Sequence, residues 1–293
     1  MAYIGFLVLR LVVALFRLIP FWLLYRLSDG LAFLLHRVVG YRKTVVRNHL
    51  RRAFPEKSAA EIEQITRDAY RNLSDITLET IKGFSAPMSE LNRRCRWVNP
   101  EVLNKYLNAG QSVLVNGGHI NSWEWPCFTV GHWITGPVYV TYKPLTNAYV
   151  DRYYNAGRSR SGAHMISMED TAVVIRAHHG KEAGAYFLIS DQSPSSVKNA
   201  HWLDFFGIDT AFLPGPDFLA RRYKYPVVFL YTRRVKRGFY EVVLEDFFPD
   251  PAQASDKTIT AAYVELLEEI IRKEPGSWLW SHKRWKHTRQ AAG

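Results

Sequence analysis

The chain has 293 residues, 47% of them hydrophobic and 14% aromatic, with 9 Trp, 16 Tyr and 16 Phe. That is apolar surface enough for a full core, and it excludes a disordered chain. A formal net charge of +11 asks for an anionic partner: nucleic acid, anionic lipid, a phosphorylated substrate or an acidic carrier protein.

The first stretch, AYIGFLVLRLVVALFRLIPFWLLY (2–25), is long enough to span a bilayer but carries Arg10 and Arg17. Their spacing puts both on one helical face, where either can snorkel if the segment tilts or lies shallow. No small-residue cleavage site follows, so a removed signal peptide is not expected. Pro20 predicts a kink or a break into a second piece, FWLLYRLSDGLAFLLH. Two forms of an N-terminal membrane anchor over 1–36 stay open: one tilted transmembrane helix, or a pair of interfacial helices. A basic block follows, with His36, Arg37, Arg42, Lys43, Arg47, Arg51, Arg52 and Lys57 opposed only by Glu56. Beside an anchor, such a cluster suits the anionic cytoplasmic leaflet.

Residues 37–293 read as one large domain. SAAEIEQITRDAYRNLSDITLETIKGF (58–84) has helical periodicity, and Ser58 with Glu61 resembles a capping box. Five β-prone runs follow, at 112–117, 137–142, 185–190, 226–232 and 240–245. Helical segments are expected between most of them, at 99–108, 121–132, 146–160, 169–180 and 214–224, with a last helix ending at Pro275. That order predicts an α/β domain with a mixed, largely parallel sheet flanked by helices. Cys95 and Cys127 have neither CxxC nor zinc spacing, so no disulfide framework is expected and a reducing compartment fits.

The stretch VLVNGGHINSWEWP (113–126) carries the chemistry. VLVN reads as a buried strand ended by Gly117 and Gly118, which puts His119 at the carboxyl edge, where open α/β sheets bind ligands. Asn121 or Ser122 can cap a helix starting near Trp123. On one continuous helix, His119 and Glu124 would face apart. With His119 in the turn and Glu124 in the first helical turn, the chain reversal can bring carboxylate to imidazole. The carboxylate would then fix the tautomer and stabilise the imidazolium. The glycines would clear space for a substrate beside the ring. This is the layout of a general base acting on an acceptor hydroxyl. A bare H-x4-E pair is more often a hydrogen-bonded turn histidine, and it gains weight here only from its context. WLDFFG and AFLPGPDFLA place Trp202, Phe205, Phe206, Phe212 and Phe218 where they can wall an acyl pocket or fill ordinary core. In WLWSHKRWKHTR, Trp278, Trp280 and Trp285 alternate with Lys283, Arg284, Lys286 and Arg289, a pattern suited to lipid headgroups or an acidic carrier. The same pattern suits single-stranded nucleic acid, but the N-terminal anchor argues against that partner, and no nucleic-acid-binding motif is present.

NGGHINSWEW resembles the H-x4-D/E motif of the lysophospholipid acyltransferase superfamily. YRKTVVRNHLRRAFPEKS, ISDQSP, WLDFFGIDTAFLPGP and PGSWLWSHKRWK resemble one branch, the late acyltransferases of lipid A biosynthesis. The resemblance covers about residues 40 to 287. It implies an O-acyltransferase domain over 37–293, moving a fatty acyl group from acyl carrier protein or acyl-CoA to a hydroxyl of a lipid A precursor. It implies His119 as general base and Glu124 as its orienting partner. It also implies a substrate-binding arginine at Arg158 or Arg160, with Asp191 and Gln192 as the family's strand-end pair and Asn116 and Gly118 beside the motif. A turn-capping role for Asp191 and a surface salt bridge for either arginine are the plain alternatives. No metal or redox cofactor is implied. The expected partners are acyl carrier protein, a lipid acceptor and an anionic membrane surface, with no nucleic acid. The expected location is the bacterial inner membrane, facing the cytoplasm. Acylation of another lyso-lipid or glycolipid, and a non-catalytic lipid-binding membrane protein, are the competing readings.

Overall fold

The computed structural model describes residues 2–289. The apolar N-terminus forms α1 (Ala2–Leu18) and α2 (Phe21–Phe33), the latter continued by a wider π-turn over Leu34–Val38. The break falls at Pro20, and Lys82 closes it by donating to the carbonyls of Phe16, Arg17 and Ile19 at 2.8, 3.1 and 2.8 Å. Those carbonyls have no partner within α1. No helix among the described residues is long and apolar enough to cross a membrane. The expected single tilted span is therefore not formed, because Pro20 divides the apolar run into helices of 17 and 13 residues.

The pair is pinned to the rest of the chain by polar groups as well as by packing. Helix α3 (Lys43–Ala53) carries much of the basic block, and α4 (Ala59–Gly83) follows. Tyr25 of α2 donates to Glu79 at 2.9 Å and Ser28 to Asp75 at 2.6 Å, both acids lying on α4. Val13 and Leu24 are buried. Outward, Ile4, Leu7, Val8, Leu11, Leu15 and Leu18 form an exposed apolar stripe at helical spacing, joined by Trp22, Leu27 and Phe33. The expected capping box opens α4: Glu61 N–H donates to Ser58 Oγ at 3.3 Å, and Ser58 N–H to the Glu61 carboxylate at 2.9 Å.

After a short α5 (Met88–Arg94), strands and helices alternate. They run β1 (Cys95–Trp97), α6 (Glu101–Asn108), β2 (Val113–Gly117), α7 (Trp125–Trp133), β3 (Val138–Tyr142), α8 (Ala148–Arg158), β4 (His164–Ser167), α9 (Thr171–His178) and β5 (Ala185–Ile189). Next come β6 (His201–Phe205), β7 (Ile208–Phe212), α10 (Gly215–Tyr223), β8 (Val227–Lys236), β9 (Phe239–Phe248) and α11 (Thr258–Lys273). Seven strands form one sheet in the order β1-β9-β8-β2-β5-β3-β4. Every neighbouring pair is parallel except β8–β9. This is the mixed, largely parallel α/β architecture expected from the alternation of runs.

The additions are instructive. Strand β1 has three residues and β4 four, too short for an alternation signal. The aromatic stretch WLDFFGIDTAF is a separate β6–β7 hairpin. It turns at Phe206 and Gly207, both at positive φ (60° and 71°), as a two-residue primed turn requires. Phe205, Phe206 and Phe212 are buried in one cluster with Trp278 and Trp280, so they are core; Phe218 is exposed. Beyond α11, the segment 275–289 runs as a strap back across the carboxyl edge of the sheet.

Candidate active site

Strands β2 and β5 lie side by side in parallel, and their register pairs Gly117 with Ile189. His119 and Asp191 therefore each fall two residues past a matched strand end, at the ligand edge of the sheet. His119 Nδ1 lies 2.6 Å from Asp191 Oδ1. The His119 amide N–H donates to Oδ2 at 2.8 Å, and the Trp278 indole N–H reaches the same oxygen at 2.8 Å. An ionised carboxylate can only accept, so Nδ1 carries the proton and Nε2 is the free basic nitrogen. The Asp191 side chain is 2% exposed and that of His119 19%. Burial pulls the ring's pKa down, but the charge and hydrogen bond of Asp191 outweigh it, and His119 sits above its usual 6.5. Burial also pushes Asp191 up, and the His119 pair more than reverses that, leaving the acid below its usual range.

Glu124 occupies a different place from the one expected. It takes Arg158 in a two-pronged pair, with Nε donating at 2.9 Å and an Nη at 2.5 Å. Among the described residues no hydrogen bond joins it to His119, although its charge helps raise the ring's pKa. The reason is local. Ile120 bridges to Trp278, and Asn121 adopts φ 47° with its amide donating to the Thr232 carbonyl at 2.9 Å. The helix accordingly starts at Trp125, with Glu124 at its N-cap and no side-chain cap. The turn is thus longer than a single cap, and the acid comes out facing α8.

The structure separates the two candidate arginines. Arg158 faces Glu124, and burial and the acid's charge act on it in opposite directions, the acid prevailing to hold it protonated. Arg160 donates to the carbonyls of Gly83, Phe84 and Ala86 at 3.0, 3.0 and 2.9 Å, closing the end of α4. Gln192 lies over the imidazole, its Nε2 3.3 Å from His119 Nε2. Asn116 is buried and accepts from Ser190 Oγ at 2.7 Å. The glycines serve the protein's own packing. A Cβ on Gly117 would lie 2.9 Å from the Leu230 carbonyl oxygen; one on Gly118 would lie 3.0 Å from Leu267 and 3.4 Å from Asp191 Oδ2. They let β8, α11 and the acid close in on the turn.

The strap supplies what sequence reasoning missed. Leu279 N–H donates to the His119 carbonyl at 3.2 Å, Asn121 N–H to that of Ser277 at 2.9 Å, and Ser193 N–H to His282 Nε2 at 3.0 Å. From α11, the Tyr263 hydroxyl donates to the Gly117 carbonyl at 2.9 Å. Trp278 and Trp280, expected at a lipid or carrier surface, are 3% and 1% exposed. Their signal was the Trp-rich PGSWLWSHKRWK itself, whose rings turn inward because each indole N–H finds a buried acceptor: Asp191 for Trp278 and the Pro275 carbonyl for Trp280. Beside Trp123 and Trp278 an apolar crevice holds only about 10 Å³.

Residues 1–287 match the model of the bacterial lipid A biosynthesis acyltransferase family. The chain is 26% identical over 290 residues to the lipid A biosynthesis lauroyltransferase of Escherichia coli strain K12, covering 98% of this chain and 91% of that one. It is 25% identical over 250 residues to the lipid A biosynthesis palmitoleoyltransferase of the same strain, covering 84% and 79%. It is 26% identical over 275 residues to a lipid A biosynthesis acyltransferase of Haemophilus influenzae, covering 92% and 86%.

Proposed function

Since this chain belongs to the bacterial lipid A biosynthesis acyltransferase family, we propose that it transfers a fatty acyl group from an acyl thioester to a hydroxyl of a lipid A precursor, with His119 as general base. Acyl carrier protein or coenzyme A carries the donor. The observation behind this reading is the His119–Asp191 pair at the matched ends of β2 and β5. His119 Nε2 takes the proton of the acceptor hydroxyl, and the oxygen attacks the thioester carbonyl. The tetrahedral intermediate expels the thiolate, which takes that proton from the imidazolium. No covalent acyl–protein intermediate is required. Asp191 holds the tautomer and offsets the imidazolium charge, the part assigned above to Glu124 from the motif. Glu124 and Arg158 form a second, fixed ion pair beside the site, and Gln192 stands next to the nitrogen that takes the proton.

The exposed stripe of α1 and α2 is the membrane-facing surface in this reading. The two helices lie in the interface, with Arg10 and Arg17 at headgroup level. The site then faces the cytoplasmic side of the bacterial inner membrane.

The test is acyl transfer in detergent from acyl carrier protein and coenzyme A thioesters to a lipid A precursor, with a lyso-phospholipid offered separately. His119→Ala is expected to lose about 10²–10⁴-fold. Wild-type transfer only to the lyso-phospholipid would overturn the acceptor; an active His119→Ala would overturn the base.

A further inference from the structure

The two arginines considered for substrate binding are already engaged: Arg158 on Glu124 and Arg160 on three carbonyls. Cations without acid partners gather elsewhere. Between α3 and the strap lies a concave pocket of about 430 Å³, lined by His49, Arg51, Arg52, Lys283, Trp285 and Lys286 among others, with no acidic side chain on its wall. That volume is in the range of small-molecule sites. Among the described residues, none of these four arginines and lysines lies within 4.0 Å of a carboxylate, whereas neighbouring Arg47 pairs with Glu63 at 2.5 Å. The back wall is built. Trp285 is fixed by its indole N–H on Thr210 at 2.8 Å, His49 stands edge-on to it at 4.9 Å between ring centres, and Arg52 lies over its face at 5.5 Å. Burial holds His49 down at about 4, so it is neutral at physiological pH and donates through Nδ1 to the Trp280 carbonyl at 3.2 Å. The anion preference therefore comes from the four cations at the rim.

The same strap connects the pocket to the candidate base. Leu279 is bonded to the His119 carbonyl, and Trp285 stands six residues further on. Extended-chain reach puts them about 22 Å apart at most. Trp278 bridges the two, its ring 6.5 Å from that of Trp285 and its indole on the Asp191 that holds His119. A ligand that engages both places spans no more than that reach, with an anion at one end and its reactive group at the other.

We propose that this pocket binds the phosphate at the far end of the phosphopantetheine arm that carries the acyl thioester. The assignment rests on the acyl-transfer reading. Coenzyme A and acyl carrier protein both present that arm, so the pocket reads the chemistry they share. A concave site with an indole wall fits a phosphate ester better than a flat lipid surface, whose apolar counterpart in this protein is the stripe on α1 and α2.

Calorimetry with free phosphopantetheine, pantetheine lacking the phosphate, and inorganic phosphate tests it without turnover. Wild type is expected to bind phosphopantetheine at least about tenfold more tightly than pantetheine. The triple variant Arg52→Ala/Lys283→Ala/Lys286→Ala should lose that preference while keeping its thermal midpoint, since all three side chains are exposed. In steady state it should raise the donor's KM about tenfold for both thioesters and leave the acceptor's KM in place. A rise for the carrier-protein thioester alone, with phosphopantetheine binding intact, would mean a protein-docking surface and overturn the pocket assignment. So would a raised acceptor KM, weakened binding to anionic vesicles with donor affinity intact, or no change at all. Wild type that binds phosphopantetheine but transfers no acyl group would leave the pocket standing and remove the acyl-transfer reading.

Discussion

Two acids flank the turn after β2, and they have been put to different uses. Asp191 is far away in sequence, 2% exposed, and held by three donors: the His119 ring, the His119 amide and the Trp278 indole. Glu124 is five residues from His119, 13% exposed, and held by one guanidinium from α8. Sequence proximity favoured Glu124 as the histidine's partner; strand register delivered Asp191. The difference teaches that a short motif can fix which groups share a site without fixing which of them touch.

Removing each acid in turn separates their roles. Asp191→Asn should cost the most, about 10³–10⁴ in kcat, because an amide facing Nδ1 favours the wrong tautomer. As the proposed base, His119 works only when neutral, so wild-type kcat/KM should rise with pH through a His119 pKa raised above 6.5 and then level. Removing the acid's charge lowers that pKa, and the acidic limb of the remaining activity should move to lower pH by about 1–3 units. The linkage to stability follows the same pair. Raised His119 stabilises the fold below 6.5, and this is lost as pH rises through its folded value; depressed Asp191 stabilises above 3.8, and this is lost as pH falls through its own. Asp191→Asn should therefore lower the thermal midpoint most between those two values.

Glu124→Gln should act on the same profile more weakly, since Glu124 raises His119 by charge alone. Its larger expression is in stability, because Arg158 is left without its acid. Breaking a fully buried pair costs about 3–5 kcal/mol, and exposures of 13% and 18% put this one at or below the low end. Denaturant unfolding measures it, and Glu124→Gln/Arg158→Met should recover part of the loss. If Glu124→Gln shifts the pH limb as far as Asp191→Asn, the two acids do not divide the work in this way.

The smallest expected effect comes from Trp278→Phe, which keeps a buried ring but removes one of the three donors on Asp191. A lowering of kcat of about tenfold, with KM for both substrates held, fits a positioning residue. A change in KM alone would place Trp278 at substrate instead.

The sequence by itself determined the local and periodic features. The capping box at Ser58 and Glu61, the break at Pro20, five of the strands and the alternation that makes a parallel sheet depend on neighbours within a few residues, and they were legible for that reason. It also marked His119 at a strand end, since the glycines that follow an apolar run can be read directly. Tertiary structure decided the rest. Asp191 meets His119 because β5 pairs with β2 in one register; a slip of one residue would turn the acid to the other side. Arg160 is a helix stopper and Arg158 an ion-pair partner because α4 ends and α7 begins where they do. Trp278 of the strap faces inward because a carboxylate buried between two strands needs a donor that no residue near it in sequence supplies.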